Sequence, residues 1–446
     1  MMQHPFRREP ALPRFVEARK RSLRTCYRAA GCSSASYLRG PTVTARRVPR
    51  WSELSPLLGH QPIQLNPTER RLSRAHTIGD LRTIARRRTP RAVFDYTDGA
   101  AEAEISLRRA RAAFRSVEFR PGVLHDVSRI NPSTTILGKR SALPFVFAPT
   151  GFTRMMHHEG ERAVVRVADR REIPYALSTM GTTSLEDIAA TAPDAQRWFQ
   201  LYLWKDRAAS GELLRRAAAN GYDVLVLTVD TAVAGSRLRD VRNGLTIPPS
   251  LTLRTIADTV THPQWWVNLL TTEPLSFASL SSWQGTVADL VNAMFDPTVG
   301  PQDLAWLRQS WDGKLVIKGI QTVEDARMVV DHGADAIVVS NHGGRQLDRG
   351  PVPLHLLPAV VEAVGERAEV FLDTGITSGA DIVAALALGA TACLVGRAYL
   401  YGLMAGGERG VDRAVQILDD EIVRTLALLG VSRIDDLNPS HVVLHP

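Results

Sequence analysis

Eight short apolar runs, rich in β-branched and aromatic residues, recur along the chain with helical stretches between them. Strand and helix alternating eight times in series is typical of a (β/α)8 barrel, in which parallel strands close into a cylinder covered by helices. An open doubly wound sheet is the alternative, but the GxGxxG turn expected after its first strand is missing. We therefore predict an α/β fold of the (β/α)8 TIM-barrel type. The predicted strands are PFVFAP (144–149), IPYALS (173–178), WFQLYL (198–203), DVLVLTVD (223–230), KLVIKG (314–319), AIVVSN (336–341), EVFLDTG (369–375) and CLVGR (393–397).

Positive charge is concentrated at the start of the 446-residue chain. Residues 1–50 contain 12 Lys and Arg against 2 acids, and the rest contains 42 against 44, so the net charge of +8 comes from the N-terminal end. We predict that residues 1–45 form a disordered basic tail, because they are Arg-rich and show no sustained apolar period. A nucleic-acid-binding arm and a transit peptide have similar compositions, and both alternatives stay open.

Helical patterns precede the first predicted strand. Residues 46–140 are predicted to form an N-terminal helical extension, with Thr77 as a helix cap, Pro90 opening a second helix and Gly99 interrupting before a third. Residues 141–446 are predicted to hold the barrel and its C-terminal helices.

A long insertion follows the fourth predicted strand. More than 80 residues, from Thr231 to Gly313, separate it from the fifth, which is unusual in a compact domain. Its tryptophans and leucines are compatible with a lid, a partner-binding surface, a membrane-touching patch or a helical excursion packed on its own barrel. No run of about 18 apolar residues occurs, so no membrane-spanning helix is predicted.

The cysteines point to a reducing compartment. Cys26, Cys32 and Cys393 are too few for a disulfide framework, and nothing in the chain shows metal-ligand spacing. We predict no metal site and a cytoplasmic protein.

Polar residues follow nearly every predicted strand. In a (β/α)8 barrel the active site collects at the C-terminal ends of the strands, so these residues are candidates for one site. In strand order they are Pro149, Thr150 and Gly151; Ser178; Gln200 and Tyr202; Thr228 and Asp230; Lys318; Ser340 and His342; Asp373 and Gly375; and Gly396 and Arg397.

The last two strand ends indicate a phosphate site. Glycine-rich turns after strands seven and eight are the usual place for a phosphate in such barrels, and Arg397 can add charge beside Gly375 and Gly396. Side chains of Ser178, Gln200, Thr228 and Lys318 suit the polar edge of a planar heteroaromatic ring. A flavin mononucleotide (FMN) has both parts and is the cofactor we predict.

The remaining candidates suit a small carboxylic acid. Arg345 and Arg237 can each hold a carboxylate bidentately, and Tyr96 and Tyr202 can add hydroxyl donors. His342 is the candidate general base, with Asp230 stabilising the imidazolium that forms. A lone arginine such as Arg237 is more often solvated, and a lone tyrosine such as Tyr96 more often belongs to a core or rim.

Several strings resemble the FMN-dependent L-2-hydroxy acid dehydrogenase/oxidase family. SNHGGRQLD (340–348) resembles that family's active-site signature, and APTG (148–151), FQLY (199–202), LTVD (227–230) and VIKGI (316–320) match in the same order. Three longer strings also resemble actinobacterial L-lactate dehydrogenases of the quinone or cytochrome type. They are RVPRWSELSPLL (47–58), RLRDVRNG (237–244) and GRAYLYGLMAGGE (396–408).

The resemblance implies a role for each candidate. Lys318 would stabilise negative charge on the reduced flavin, and His342 would take a proton with Asp230 behind it. Tyr96, Arg237 and Arg345 would bind the substrate carboxylate, and Tyr202 would contact the reacting end. The expected FMN-binding residues are Pro149, Thr150, Gly151, Ser178, Gln200, Thr228, Lys318, Ser340, Asp373, Gly375, Gly396 and Arg397.

One position departs from the family pattern. The turn after strand seven usually carries an arginine toward the phosphate two residues after the glycine, and here that position is Thr377 in DTGITSG. We therefore expect FMN binding to depend more on Arg397 and on backbone amides.

The function implied is oxidation of an L-2-hydroxy acid, with L-lactate to pyruvate expected and electrons passed to a quinone or cytochrome. An oxidase that reduces O₂ and a non-catalytic barrel with a nucleic-acid-binding tail are the alternatives; we expect no nucleic-acid partner. A homotetramer with peripheral contact to the inner face of the cell membrane is also expected.

Overall fold

Eight parallel strands close into a barrel in the computed structural model, which describes residues 47–55, 65–244, 253–280 and 296–445. The last strand pairs with the first, Cys393 lying opposite Phe145, so no barrel edge is left open. The predicted (β/α)8 fold is confirmed. The strands are β1 (Phe145–Phe147), β2 (Tyr175–Ser178), β3 (Arg197–Leu201), β4 (Val224–Thr228), β5 (Lys314–Ile320), β6 (Ala336–Val339), β7 (Glu369–Leu372) and β8 (Ala392–Val395).

Both faces of each strand are buried, which explains why the strands read as continuous apolar runs. Alternate residues form an inner cluster in which the rings of Trp198 and Phe371 stack with centroids 6.1 Å apart. Ile136 and Leu137 join this cluster from a short antiparallel hairpin, Thr134–Ile136 with Lys139–Ser141. The other strand residues pack against the surrounding helices.

Helices precede, interrupt and follow the barrel. The longest described helix, Arg397–Leu429, is kinked at Gly406 and Gly407, where the backbone is not helical. The helices are α1 (Trp51–Leu54), α2 (Pro67–Leu72), α3 (Ile78–Arg88), α4 (Arg91–Asp98), α5 (Ile105–Arg115), α6 (Thr153–Met156), α7 (Gly160–Arg170), α8 (Leu185–Thr191), α9 (Arg207–Ala219), α10 (Leu238–Arg242), α11 (Leu253–Val260), α12 (Pro263–Leu270), α13 (Pro301–Ser310), α14 (Val323–Asp331), α15 (Pro353–Val364), α16 (Gly379–Ala387) and α17 (Arg397–Leu429).

The segment before the barrel is only partly helical. Thr77 accepts a hydrogen bond from the backbone N–H of Asp80 at 3.1 Å and caps α3 as predicted, and Pro90 and Gly99 flank α4. The segment 46–140, predicted as an N-terminal helical extension, also contains a hairpin at 134–141 and the strand Val117–Phe119, which pairs with Val442–Leu444; the prediction did not include these strands. Helix α1 belongs to a separate compact unit, and the predicted tail 1–45 lies outside the described residues.

The described part of the long insertion is helical and anchored to the barrel. It contains α10 to α13, and the predictions that fall on residues 245–252 and 281–295 lie outside the described residues. Trp265 Nε1 donates a hydrogen bond to the backbone oxygen of Met155 at 2.9 Å. In the described part of the chain, no helix combines the length and apolarity needed to cross a bilayer.

Candidate active site

His342 lies in a short 3-10 turn, His342–Gly344, directly beyond strand β6. The backbones of His342, Gly343 and Gly344 adopt left-handed conformations, with φ of 59°, 66° and 75°. A Cβ at position 344 would lie 2.8 Å from the backbone nitrogen of Leu107, so glycine is needed there. Asn341, which was not predicted as a site residue, accepts a hydrogen bond from Gly344 N at 2.9 Å. The turn therefore holds His342 at the barrel mouth on a constrained backbone.

Asp230, beyond the end of β4, holds the imidazole of His342. Nδ1 of His342 lies 2.9 Å from Oδ1 of Asp230, whose side chain is 2% exposed. Gly319 faces this carboxylate, and an added Cβ there would lie 2.8 Å from Asp230 Cγ. Glycine at 319 therefore leaves the space that the carboxylate occupies. With Nδ1–H donating to Asp230, Nε2 is the nitrogen left to accept a proton.

Two predicted substrate-binding arginines converge on one tyrosine ring. The guanidinium carbons of Arg345 and Arg237 lie 4.8 and 5.3 Å from the ring centroid of Tyr96. Burial, with the like charge of Arg237, lowers the pKa of Arg345 to about 10. Arg237 also pairs with Asp240, 3.2 Å away. Two cations gathered beside the half-buried Tyr96 favour binding of a carboxylate.

Aromatic residues line the same side of the mouth. Burial, reinforced by the carboxylate of Asp230, raises the pKa of Tyr202, so its hydroxyl stays protonated and able to donate. The ring of Phe152 meets Tyr96 edge-on with centroids 6.1 Å apart, and Phe277 from the insertion packs on Phe152 at 4.7 Å. Sequence reasoning missed Phe152, because a phenylalanine outside a motif carries no chemical signature.

Lys318 forms a buried ion pair on strand β5. Its Nζ lies 2.9 Å from Oδ2 of Asp373 and donates to Oγ of Ser340 at 3.0 Å. Ser340 in turn donates to Oδ1 of Asp373 at 2.7 Å. Burial opposes the charge on Lys318, but the carboxylates of Asp373 and Asp230 raise its pKa. A positive charge is therefore kept at the base of the mouth.

Thr374 connects this ion pair to the histidine turn and was not predicted. Its hydroxyl donates to Oδ1 of Asp373 at 2.6 Å and accepts from the backbone N–H of Gly343 at 3.0 Å. Its φ is 81°, which is costly for a β-branched residue. Only the folded backbone reveals this strained position.

Strands β2, β3 and β4 present a row of buried polar side chains. Oε1 of Gln200 accepts from the hydroxyl of Ser178 at 3.0 Å, and Nε2 donates to the hydroxyl of Thr228 at 3.0 Å. Thr150, beyond β1, shares a hydrogen bond of 2.6 Å with the hydroxyl of Tyr399. Pro149 and Gly151 flank Thr150 at the same end of the barrel.

The phosphate site predicted from the sequence lies at the ends of β7 and β8. Gly375 has φ of 91°, and Gly396 immediately precedes α17, whose N-terminus favours an anion. Arg397 donates through Nε to the backbone oxygen of Thr97 at 2.9 Å and through Nη2 to that of Gly99 at 2.8 Å. Two of its three guanidinium nitrogens therefore hold the end of α4.

The donors fit FMN. Amide, hydroxyl and ammonium groups on β2 to β6 match the nitrogen- and oxygen-rich ring edge, and the glycine turns with the α17 N-terminus match the phosphate. Most of the predicted cofactor residues lie at or just beyond the C-terminal ends of the barrel strands, whereas Tyr96 comes from helix α4 and meets Arg345 and Arg237 there.

A pair of neighbouring histidines, His157 and His158, lies between α6 and α7. The potential metal-ligand atoms of His157, His158 and Glu159, one from each side chain, lie within 4.8 Å of one another. Burial, with the charges of His158 and Arg88, lowers the pKa of His157 to about 3. The nearby arginine disfavours a further cation, so we assign no metal to it.

The chain belongs to the FMN-dependent dehydrogenase family, whose profile matches residues 85–444. It is therefore an FMN-dependent oxidoreductase of 2-hydroxy acids and not a non-catalytic barrel.

Relatives in sequence and in structure agree with this assignment. A Mycobacterium tuberculosis protein, provisionally named an L-lactate dehydrogenase, is 57% identical over 397 residues, covering 89% of this chain and 96% of that protein. The L-lactate dehydrogenase of Caulobacter vibrioides is 41% identical over 366 residues, covering 80% and 95%. The crystal structure of the monotopic membrane protein (S)-mandelate dehydrogenase matches with a TM-score of 0.80 and 38% identity, covering 83% of this chain and 100% of that chain.

Proposed function

We propose that the protein oxidises L-lactate to pyruvate and passes the electrons to a quinone or a cytochrome. The observation that carries the proposal is the His342–Asp230 pair, with Nδ1 and Oδ1 2.9 Å apart, at the same mouth as Arg345 and Arg237. The names of the Mycobacterium tuberculosis and Caulobacter vibrioides relatives support lactate as the substrate.

Arg345 and Arg237 bind the substrate carboxylate in this proposal. Their guanidinium groups lie on the ring of Tyr96, whose backbone oxygen accepts a hydrogen bond from Arg345. That bond fixes one end of the Arg345 side chain and leaves other N–H groups for a bidentate contact. The hydroxyls of Tyr96 and Tyr202 add neutral donors beside the two cations.

His342 takes a proton from the hydroxy-bearing end of the substrate. Nε2 accepts the proton while Asp230 keeps Nδ1 protonated and stabilises the resulting imidazolium. FMN, when bound, supplies the acceptor for the two electrons that leave the substrate.

The cofactor-binding residues fall into two groups. The ring would lie over Pro149, Thr150 and Gly151 and beside Ser178, Gln200, Thr228, Lys318 and Ser340. The ribityl end and phosphate would lie at Asp373, Gly375, Gly396 and Arg397. The ammonium group of Lys318, kept charged by Asp373, favours negative charge at the ring edge.

A membrane-side acceptor is supported by the surface of the insertion. Val260 on α11 and Leu270 on α12 are 65% and 74% exposed, an apolar surface that suits contact with lipid. The (S)-mandelate dehydrogenase that matches this fold is described as a monotopic membrane protein. We propose a cytoplasmic homotetramer that rests on the inner face of the membrane through α11 and α12.

We also propose three regions in the chain: a tail at 1–45, an extension at 46–140 and the barrel at 141–446.

Two measurements test the proposal. Anaerobic addition of L-lactate should bleach the flavin absorbance of the purified protein, and D-lactate should not. Stopped-flow reoxidation should then be faster with a quinone analogue than with O₂. Faster reoxidation by O₂ would favour the oxidase alternative, and no bleaching would overturn lactate as the substrate.

A further inference from the structure

The turn after β7 contributes no cation to the proposed phosphate site. Thr377, which stands where the family pattern has an arginine, is turned toward α16. Its backbone N–H donates to Oδ2 of Asp381 at 2.7 Å and its hydroxyl to the same oxygen at 3.2 Å. Arg397 is also largely engaged, by Thr97 and Gly99. A further positive charge here would strengthen the binding of a phosphate dianion.

Helix α5 packs its inner face on the turns that surround this place. A Cβ at Gly344 would lie 2.8 Å from the backbone nitrogen of Leu107, and one at Gly375 would lie 3.0 Å from the backbone oxygen of Ala110. The ring of Phe114 lies 3.1 Å from the same Gly375 position. Residues 107, 110, 111 and 114 share one face of a helix, so Arg111 lies on the face that covers both turns.

Arg111 is half-buried, whereas Arg108, Arg109 and Arg115 on the same helix are exposed. It makes no hydrogen bond or ion pair through its side chain within the described residues. Burial, together with the like charge of Arg111, lowers the pKa of Arg397, so the two guanidinium groups are within electrostatic reach.

Asp98, the acid within reach of Arg111, already accepts four hydrogen bonds from other residues. Asp98 accepts from Arg82 and Tyr401 at Oδ1, at 2.6 and 2.7 Å. Its Oδ2 accepts from Arg82 and Arg239, at 2.9 and 3.1 Å. Within the described residues, Arg111 therefore has a neighbouring cation in Arg397 and forms no ion pair with a carboxylate, which is the environment of an anion site.

We propose that Arg111, on the N-terminal helix α5, is the second cation of the FMN phosphate site and takes the place of the arginine missing at Thr377. The inference rests on the proposed location of the phosphate at Gly375, Gly396 and Arg397. It assigns to a helix outside the barrel a direct part in holding the cofactor.

The test compares FMN with riboflavin, which lacks the phosphate. Apoprotein would be titrated with each flavin, and the dissociation constants taken from quenching of flavin fluorescence. Arg111→Gln should weaken FMN binding by about 10- to 100-fold, the range for losing a hydrogen bond to a charged group, and leave riboflavin binding unchanged. Arg111→Lys should weaken FMN binding less. The matched control, Arg108→Gln on the exposed face of α5, should change neither constant.

The outcomes separate the inference from the proposed function. If Arg111→Gln keeps the wild-type ratio of FMN to riboflavin affinity within about twofold, Arg111 is not the second cation. The proposed function is not affected by that result. A wild-type protein that binds riboflavin as tightly as FMN overturns the phosphate site itself, and with it this part of the proposed function. Riboflavin binding by each variant also verifies that the barrel is folded.

Discussion

Nδ1 of His342 lies 2.9 Å from Oδ1 of Asp230, while Oδ2 of the same carboxylate is buried with no hydrogen-bond partner in the described ranges. Within the described residues, the side chain of Asp230 therefore has one hydrogen bond to lose, and that bond is to the imidazole. Gly319 provides the space in which the carboxylate lies. Substitution of Asp230 thus tests the pair with little disturbance of other hydrogen bonds.

Asp230→Asn should lower kcat for L-lactate oxidation by about 10²-fold, because the amide keeps the shape but does not stabilise the imidazolium. FMN content should stay at the wild-type level, since Asp230 lies outside the proposed cofactor contacts. Steady-state kinetics and the flavin absorbance of the purified variant measure both. A variant with wild-type kcat would show that the carboxylate has no part in proton transfer.

Arg345→Lys should raise KM for L-lactate by about tenfold or more with a smaller effect on kcat, because an ammonium group does not reproduce the bidentate fork. Arg349→Lys, an exposed arginine four residues further along the same loop, is the matched control and should leave KM unchanged. If the two variants show equal KM, Arg345 does not hold the carboxylate.

Asp98 should stabilise the fold in a pH-dependent way. Burial opposes its charge, but hydrogen bonds from Arg82 and Tyr401 lower the pKa of Asp98 well below its ordinary value. Because the folded pKa is depressed, the stabilisation is fully present above the unfolded pKa of about 3.9 and is lost as pH falls toward the folded value. Breaking such a buried pair typically costs about 3–5 kcal/mol.

Asp98→Asn should therefore lower the free energy of unfolding by about 3 kcal/mol at neutral pH. The difference from wild type should be constant between about pH 5 and 8 and should narrow below about pH 4. Denaturant titrations at several pH values measure it, with the exposed Asp194→Asn as control. A difference that widens toward acid pH would contradict the assignment.

Paired substitutions on α12 should reduce membrane binding. Val267 and Leu270 are 41% and 74% exposed, so changing both to glutamate removes apolar contact area and adds charge that lipid disfavours. Co-sedimentation with anionic vesicles should fall while turnover with a soluble dye stays constant. Leu428→Glu, a single substitution of the same kind at a residue 66% exposed on α17, should not alter sedimentation. Equal binding by both variants and wild type would argue against α12 as the contact.

The barrel could be predicted, and candidate site residues could be proposed, because both depend on local sequence pattern. Each strand is a short apolar run, and the residue types that follow, such as Lys318 and His342, mark the mouth without knowledge of distant contacts. The same pattern reveals Asp230, since it directly follows the apolar run of β4.

The missed features depend on backbone conformation and on distant parts of the chain. Thr374 matters because its φ is 81°, and Asp98 because Arg82, Arg239 and Tyr401 meet there from separate segments. Arg111 looks like any arginine of an amphipathic helix until α5 is seen packed on the Gly375 turn. No periodicity or motif in the sequence predicts these contacts between distant segments.

His342 as the general base is the central claim. Loss of a general base typically costs about 10²–10⁴ in rate and need not affect binding. Substrate-like carboxylates should still bind to Arg345 and Arg237 in a His342→Gln protein, and FMN should remain bound.

The most direct measurement is the rate of anaerobic flavin reduction by saturating L-lactate in His342→Gln, followed by stopped-flow absorbance. We predict a rate at least about 10²-fold below that of wild type, with FMN content unchanged. Reduction within about threefold of the wild-type rate would contradict the assignment of His342 as the base.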